Sequence, residues 1–141
     1  TNNKEEIKQA SIINRDEEGN DTTWSSEITA GSMSCYAIRT DGTLWSWGYN
    51  TWGGLGHNNR TDRSSPVQVP GTTWSKLGSK GFAVYAVKTD GTAWAWGKNE
   101  YGQLGVPSIG TGHRSSPVQI PGTDWDIIEG GDNHGIGRKN L

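Results

Sequence analysis

Apolar residues in this chain form short runs separated by glycine and polar turns. Residues 34–39 read SCYAIR and are followed, after Thr-Asp-Gly-Thr, by LWSWG at residues 44–48. Asp-Gly between two such runs predicts a β-hairpin, because the tight turn needs a positive φ that glycine adopts freely. The same arrangement returns at residues 82–97. The pattern therefore predicts an all-β fold.

Side-chain size alternates along the second strand of each hairpin. Successive side chains of a strand point to opposite faces, so Trp45 and Trp47 share one face, opposite the leucine and serine that alternate with them. Trp94 and Trp96 repeat this pattern with alanines. The neighbouring strands supply further small residues: Cys35, Ala37, Val84 and Ala86. We expect the rings of one unit to fill the space left by the small face of the next.

The hairpin belongs to an internal repeat of about fifty residues. TDGTLWSWGYN, which contains Asp41, returns as TDGTAWAWGKN, with Asp90 lying 49 residues further on. A second block, SSPVQVPGTTW, ends at Trp74 and returns as SSPVQIPGTDW, ending at Trp125, 51 residues later. The intervening loop is therefore two residues longer in the second copy. A period of about fifty residues with several short strands is typical of a β-propeller blade.

The repeat divides the chain into an arm and a stack of blades. Residues 1–23 are polar and predict an N-terminal arm or linker. Residues 24–141 hold two full units, at about 31–80 and 81–130, with partial units at both ends. Propellers have about 4–8 blades, so the ring within this chain is incomplete. We expect further blades to complete it, as part of a longer polypeptide rather than by self-assembly of short chains.

Composition excludes several classes of function. Eight tryptophans and 21 glycines in a chain of net charge −2 indicate a folded protein. The balance of 13 basic and 15 acidic residues predicts no nucleic-acid binding. No apolar run approaches the ~20 residues of a membrane-spanning helix, so no membrane insertion is expected. The single cysteine excludes an internal disulfide framework.

Candidate chemistry is sparse. The three histidines have no spacing that would converge on zinc, so no metal or cofactor is predicted. The sequence has no Ser-His-Asp or Cys-His arrangement that spacing supports, and no phosphate-binding GxxxxGK[ST] loop. These observations predict a protein that is not an enzyme.

The repeated residues resemble the tandem repeats of the regulator of chromosome condensation family. The match runs AGSMSCYAIRTDGTLWSWGYNTWGGLG from Ala30, with Pro66 and Val67 following. The second copy reads TDGTAWAWGKNEYGQLG, followed by Pro117 and Val118. The resemblance covers residues 24–141. It implies four-stranded antiparallel blades arranged around a central channel.

The chain also departs from the family pattern. The blade histidine of the family is Ser34 in the first copy and Ala83 in the second, and appears only as His134 in the third. A pentapeptide with Trp and Arg marks an ultraviolet-sensing plant branch of the family, and it is absent from this sequence. The near-identical polar repeats look like bacterial, environmental or phage members. The compartment stays open, with a secreted or virion setting favoured over the cytoplasm.

The repeats contain residues that we expect to be structural and others that are candidates for binding. The positions expected to be structural form the turns and strands of the hairpins: Asp41, Gly42, Trp45, Trp47, Gly48, Asp90, Gly91, Trp94, Trp96 and Gly97. The candidate binding residues lie in the loops after each hairpin: Trp52, His57, Asn59, Arg60, Tyr101, His113 and Arg114. Loop aromatics can stack on a sugar or a partner surface, or can simply cover the edge of a blade.

The sequence favours a non-enzymatic protein-interaction or structural module whose loops contact a protein partner. A glycan- or receptor-binding module of a virion or secreted adhesin is the alternative. Guanine-nucleotide exchange on a small GTPase is a third hypothesis, and it rests on fold analogy alone.

Overall fold

Antiparallel strands follow one another along the chain in a computed structural model, which describes residues 14–15, 21–131 and 134–139. The strands are β1 (Asn14–Arg15), β2 (Asp21–Thr22), β3 (Trp24–Ala30), β4 (Ser34–Arg39), β5 (Leu44–Gly48), β6 (Arg63–Val69), β7 (Trp74–Lys80), β8 (Ala83–Lys88), β9 (Ala93–Gly97), β10 (Arg114–Ile120), β11 (Trp125–Gly130) and β12 (Gly135–Lys139). One turn of 3₁₀ helix lies at Pro107–Ile109. Among these residues no helix is long and apolar enough to cross a membrane.

Two four-stranded meanders form the centre of the chain, and in the structure the first unit is β3–β6 and the second unit is β7–β10. Their orders are β3-β4-β5-β6 and β7-β8-β9-β10, and β11 pairs with β12 as the first half of a third sheet. The all-β prediction of four-stranded blades in an open ring is confirmed. Most of the predicted arm at residues 1–23 lies outside the described residues, and within it β1 pairs with β2.

The turn between the second and third strands is built in the same way in both units. Gly42 and Gly91 adopt a φ of +83°, the positive value that the Asp-Gly hairpin requires. The Asp41 carboxylate accepts hydrogen bonds from the amide and the hydroxyl of Thr43, at 3.0 and 2.6 Å. Hydrogen bonding by Thr92 lowers the pKa of the exposed Asp90 carboxyl in the equivalent turn. Aspartate therefore fixes the chain reversal that aligns the two strands.

The predicted division into a bulky and a small face is wrong for the second strand of each unit. Cys35 lies directly opposite Trp47, and Ala37 opposite Trp45, on the same face of the sheet. A small residue beside each ring leaves room for the indole to lie across the neighbouring strand. The opposite face carries larger side chains, with Tyr36 and Ile38 buried there.

The rings of the second unit pack against the first unit. Trp96 is fully buried, with 0% exposure, and its indole Nε1–H donates to the Gly54 carbonyl at 2.8 Å. Gly56 leaves space for this ring, since a Cβ there would lie 3.0 Å from the indole nitrogen. One core joins the two units: Tyr36, Ile38, Leu44, Leu55, Val69, Trp74, Val84, Ala86 and Trp96. The tryptophan rings thus pack against the preceding unit, whereas the sequence predicted packing against the next unit.

Backbone hydrogen bonds fix the angle between the units. The Trp74 amide donates to the Gly42 carbonyl at 3.0 Å, and the Trp125 amide donates to Gly91 at 2.9 Å. At the other end of the sheets, Ser32 donates to Gly81 at 2.8 Å. The units are therefore joined at both ends of their strands as well as through the core.

Removing the Trp96 ring is expected to lower the free energy of unfolding by about 3–5 kcal/mol, the usual cost of truncating a buried aromatic side chain. Trp47, at the equivalent position of the first unit, is only partly buried. We expect Trp47→Ala to cost less than half as much. Urea unfolding of both variants measures the difference. Equal losses would contradict burial between units.

Candidate interaction surface

The ends of the sheets form two rims. The turn rim holds the Asp-Gly turns, and the loop rim holds the segments that follow the third strand of each unit, residues 49–62 and 98–113. A buried asparagine organises each of these loops. Asn50 Oδ1 accepts from the Leu55 amide at 3.0 Å, and its Nδ2 donates to the Thr61 carbonyl at 2.9 Å. Asn99 makes the same pattern with Leu104 and with carbonyls of the longer loop. The side-chain amide of a buried asparagine therefore fixes the backbone of both loops, although the loops differ in sequence.

A second contact closes each loop with a different residue type. The backbone N–H of Asn50 donates to Asp62 Oδ1 at 2.7 Å. In the second unit the backbone N–H of Asn99 donates to His113 Nδ1 at 2.9 Å. His113 thus occupies the place of an aspartate, and His57 lies elsewhere in its own loop. Because Nδ1 accepts, the proton of the neutral His113 ring lies on Nε2.

Trp52 lies in the seam between the two units. Its ring meets the edge of His113, with centroids 4.8 Å apart, and packs near Phe82 at 6.4 Å. The Lys98 ammonium lies 5.3 Å from the Trp52 centroid, and it pairs with Glu100 at 2.7 Å, which lowers the pKa of the Glu100 carboxyl. The structure thus brings together two of the predicted binding residues, Trp52 and His113, as an interblade contact.

The other predicted binding residues are distributed along the loop rim. Asn59 Nδ2 donates to the His57 carbonyl at 3.1 Å, so this side chain shapes its own loop. Arg114 is half-buried and donates to the His113 carbonyl at 3.1 Å. Arg60 is exposed, and Tyr101 is 64% exposed. Arg60 and Tyr101 are therefore the predicted residues that present the most surface to a partner.

His57 points into its own blade. Its Nε2 lies 3.2 Å from the Val67 carbonyl and 3.0 Å from Ser46 Oγ, whereas Nδ1 is buried without a partner. Since a carbonyl only accepts, Nε2 carries the proton. Burial and the nearby Arg63 lower the pKa of His57 below its ordinary value, although the Val67 carbonyl opposes this.

Basic side chains that sequence reasoning missed cover the tryptophans on the turn rim. Arg39 lies over Trp24 and Trp45, with distances of 5.1 and 5.4 Å to the ring centroids. Lys88 repeats this contact over Trp74 and Trp94, at 4.9 and 4.4 Å. The signal was available, because a basic residue precedes Thr-Asp-Gly in both copies. Such cation–π contacts contribute about 0.5–1 kcal/mol at exposed sites.

Charged residues also link the first strands of successive units, which lie side by side. Glu27 on β3 accepts from the Leu77 amide of β7 at 3.3 Å and lies 3.4 Å from the Lys76 ammonium. In the part of the chain that the structure describes, no three His, Cys, Asp or Glu side chains cluster to hold a metal ion. The geometry is that of packed blades with polar rims.

Comparison with known proteins identifies the repeat. The model of the regulator of chromosome condensation (RCC1) repeat matches residues 41–77 and 90–136, and a second model of that repeat matches residues 74–103. The ultraviolet-B receptor UVR8 of Arabidopsis thaliana is 43% identical over 44 residues, 31% of this chain and 10% of the receptor.

Solved structures share the architecture. Human WBSCR16 gives a TM-score of 0.75 at 20% identity, over 83% of this chain and 31% of that one. Yeast RCC1 (Prp20) bound to Kap60 gives 0.66 at 18% identity, over 78% and 29%. Prp20p of Saccharomyces cerevisiae, described with its binding to Gsp1p and histones, gives 0.69 at 15% identity, over 89% and 40%. This chain spans less than half the length of each relative, and the likeness shows the fold.

Acid is expected to destabilise the fold through His57. The unfolded ring takes up a proton near its ordinary pKa of 6.5, whereas the lowered folded-state pKa keeps the ring neutral. This contribution to stability is therefore complete above pH 6.5 and is lost as the pH falls below it. We expect the loss of stability between about pH 7.5 and 5.5 to shrink in His57→Gln. Urea unfolding measures it, with His134→Gln, a change at an exposed position, as the control. An equal change of slope in both variants would contradict the role of His57.

Proposed function

Because this chain belongs to the regulator of chromosome condensation (RCC1) repeat family, we propose that it is a non-enzymatic protein-interaction module. In this proposal, consecutive propeller blades hold the loop rim rigid, and that rim binds a protein partner. RCC1-like propeller repeats support an interaction module in general.

One observation carries the choice of the loop rim. The framework of the two units repeats the Asp-Gly-Thr turn, both tryptophans of the third strand, the glycine after them, and the buried Asn50 and Asn99. The loops that these amides support differ in length and in sequence, HNNRTDR against VPSIGTGHR. A rigid scaffold with divergent loops is the arrangement in which proteins commonly place recognition. Trp52, which contacts His113 and Phe82 in the seam, joins this rim of the two units.

The related structures support a protein as the partner. Yeast RCC1 (Prp20) is described as bound to Kap60, and Prp20p as binding Gsp1p and histones. All of these partners are proteins. We extend that class of partner, and none of those names, to this chain. Further propeller blades, from this or another chain, are the second partner that we propose.

Changes at the exposed residues Arg60 and Tyr101 test whether the loop rim binds a partner. A photo-reactive residue at position 101 of the full chain is expected to cross-link a host protein. That protein, once purified, should bind the chain saturably. Arg60→Glu should weaken binding about tenfold or more, since rim charges steer and orient association.

The matched control lies on the opposite rim. Thr89 is exposed on the turn rim, and Thr89→Glu should leave the affinity unchanged. Equal weakening by both variants, or no saturable partner, would refute the proposal that the loop rim is the binding surface.

Glycan binding remains the alternative, favoured by the exposed ring of Tyr101. Trp52, the other candidate for sugar stacking, packs in the seam against His113. Saturable sugar affinity that is lost in Tyr101→Ala would support this alternative over a protein partner.

Guanine-nucleotide exchange is the third candidate. It is supported by the fold shared with Prp20p, which is described with binding to Gsp1p. Accelerated nucleotide release from a small GTPase in the presence of the full chain would establish it, and an unchanged release rate would reject it.

A further inference from the structure

The two long loops of the loop rim are closed by different acceptors. In the first unit the backbone N–H of Asn50 donates to the Asp62 carboxylate at 2.7 Å. In the second unit the backbone N–H of Asn99 donates to Nδ1 of His113 at 2.9 Å. An aspartate carboxylate stays ionised above about pH 5, whereas an imidazole changes its charge between about pH 5 and 8. The second loop therefore depends on a contact that acid can alter.

Protonation of His113 removes the acceptor that closes the second loop. Nδ1 accepts through its lone pair, and a protonated imidazole carries a hydrogen on both ring nitrogens. The backbone N–H of Asn99 and the Nδ1–H of His113 would then face each other as two donors. Asn99 is 1% exposed, and a buried N–H without an acceptor is unfavourable. The charged ring therefore cannot keep the position of the neutral ring.

A carboxylate of the same loop lies near the ring and attracts it when it is charged. The hydrogen bond with Lys98 lowers the pKa of the Glu100 carboxyl, and the charge of the nearby His113 lowers it further. Lys98 pairs with Glu100 at 2.7 Å, and Arg114, next in the chain, donates to the His113 carbonyl at 3.1 Å. From the first unit, His113 meets the uncharged ring of Trp52. A protonated ring thus has Glu100 as its nearby counter-charge.

His113 also joins the two loops across the seam. Its ring and that of Trp52 have centroids 4.8 Å apart. Two residues further along, the Ser115 carbonyl accepts from the backbone N–H of Asn58 at 2.7 Å. A Cβ on Gly53 would lie 2.6 Å from Ser115 Cα. The first loop therefore packs against His113 and the segment that follows it, so displacement of the ring acts on both loops.

We propose that the loop rim is a pH-regulated binding surface, which is closed while His113 accepts from Asn99 and loosens when the His113 ring is protonated. The loop that loosens carries Tyr101, which is 64% exposed. This inference rests on the proposed function, because it names the regulation of the rim that binds the protein partner. Affinity for the partner is expected to fall as the pH drops from about 7.5 to 5.5, where imidazole takes up its proton.

Hydrogen exchange of two backbone amides tests the switch within one molecule. NMR gives the protection factor of each amide, which is corrected for the intrinsic exchange rate at each pH. That of Asn99 should fall about threefold to tenfold between about pH 7.5 and 5.5, as expected for the loss of one hydrogen bond. Asn50, held by Asp62, is the matched control and should keep its protection. Since acid also acts on the first loop through His57, the comparison is made in a His57→Gln background.

Exchange of the two acceptors gives matched variants. His113→Asp places the acceptor of the first unit in the second loop and should make the protection of Asn99 independent of pH in this range. His113→Asn, whose amide oxygen accepts at both pH values, should behave in the same way. Asp62→His should transfer the pH dependence to Asn50. Equal loss of protection at Asn50 and Asn99, or a loss at Asn99 that persists in both His113 variants, would overturn the proposal.

Partner binding tests the regulatory consequence. For the protein captured through position 101, the affinity should fall about threefold to tenfold between about pH 7.5 and 5.5 in the wild-type chain. The ratio of the two affinities should approach one in His113→Asp, and an unchanged ratio in that variant would reject the regulation of binding. The exchange measurement needs no partner. Failure of the loop rim as a binding surface would therefore leave the amide result as predicted, and the two failures are distinguishable.

Discussion

Burial of an indole between two repeat units is the interaction on which this structure depends. A tryptophan buries about 200 Å², which at about 25 cal/mol per Å² corresponds to on the order of 5 kcal/mol. Each backbone hydrogen bond between the units contributes about 1 kcal/mol. The rings therefore hold the units together, and the hydrogen bonds at the two rims mainly fix their angle. Trp96 is fully buried against the preceding unit, where it donates to the Gly54 carbonyl.

The same constraint explains which features repeat and which vary. Positions that shape the site for the next ring recur in both copies, including the Asp-Gly turn, the buried asparagine, and the leucine that follows it in Leu55 and Leu104. The loop residues beyond them carry no such requirement and differ freely. A binding surface on those loops can therefore change while the stack of blades stays intact.

Sequence reasoning predicted the strands, the hairpins and the stacking, because a period of two in side-chain size and a period of about fifty in the chain are local patterns. It mistook the direction of stacking, since alternation does not say which neighbour receives the rings. It also assigned Cys35 and Ala37 to the face opposite the tryptophans, because the strand register that pairs them with Trp47 and Trp45 is not visible in the sequence. Trp52 and His113 are 61 positions apart in the sequence, so their contact depends on the angle between units. Only the three-dimensional structure supplies that angle.

Hydrogen exchange of the tryptophan indole N–H groups, measured by NMR on the intact chain, tests the central claim most directly. Trp96 donates its indole N–H to Gly54 across the interface and is fully buried. Trp47, on the face of the first unit, is only partly buried. The account predicts that the Trp96 indole exchanges far more slowly than the Trp47 indole. Equal exchange rates for the two indoles would contradict it.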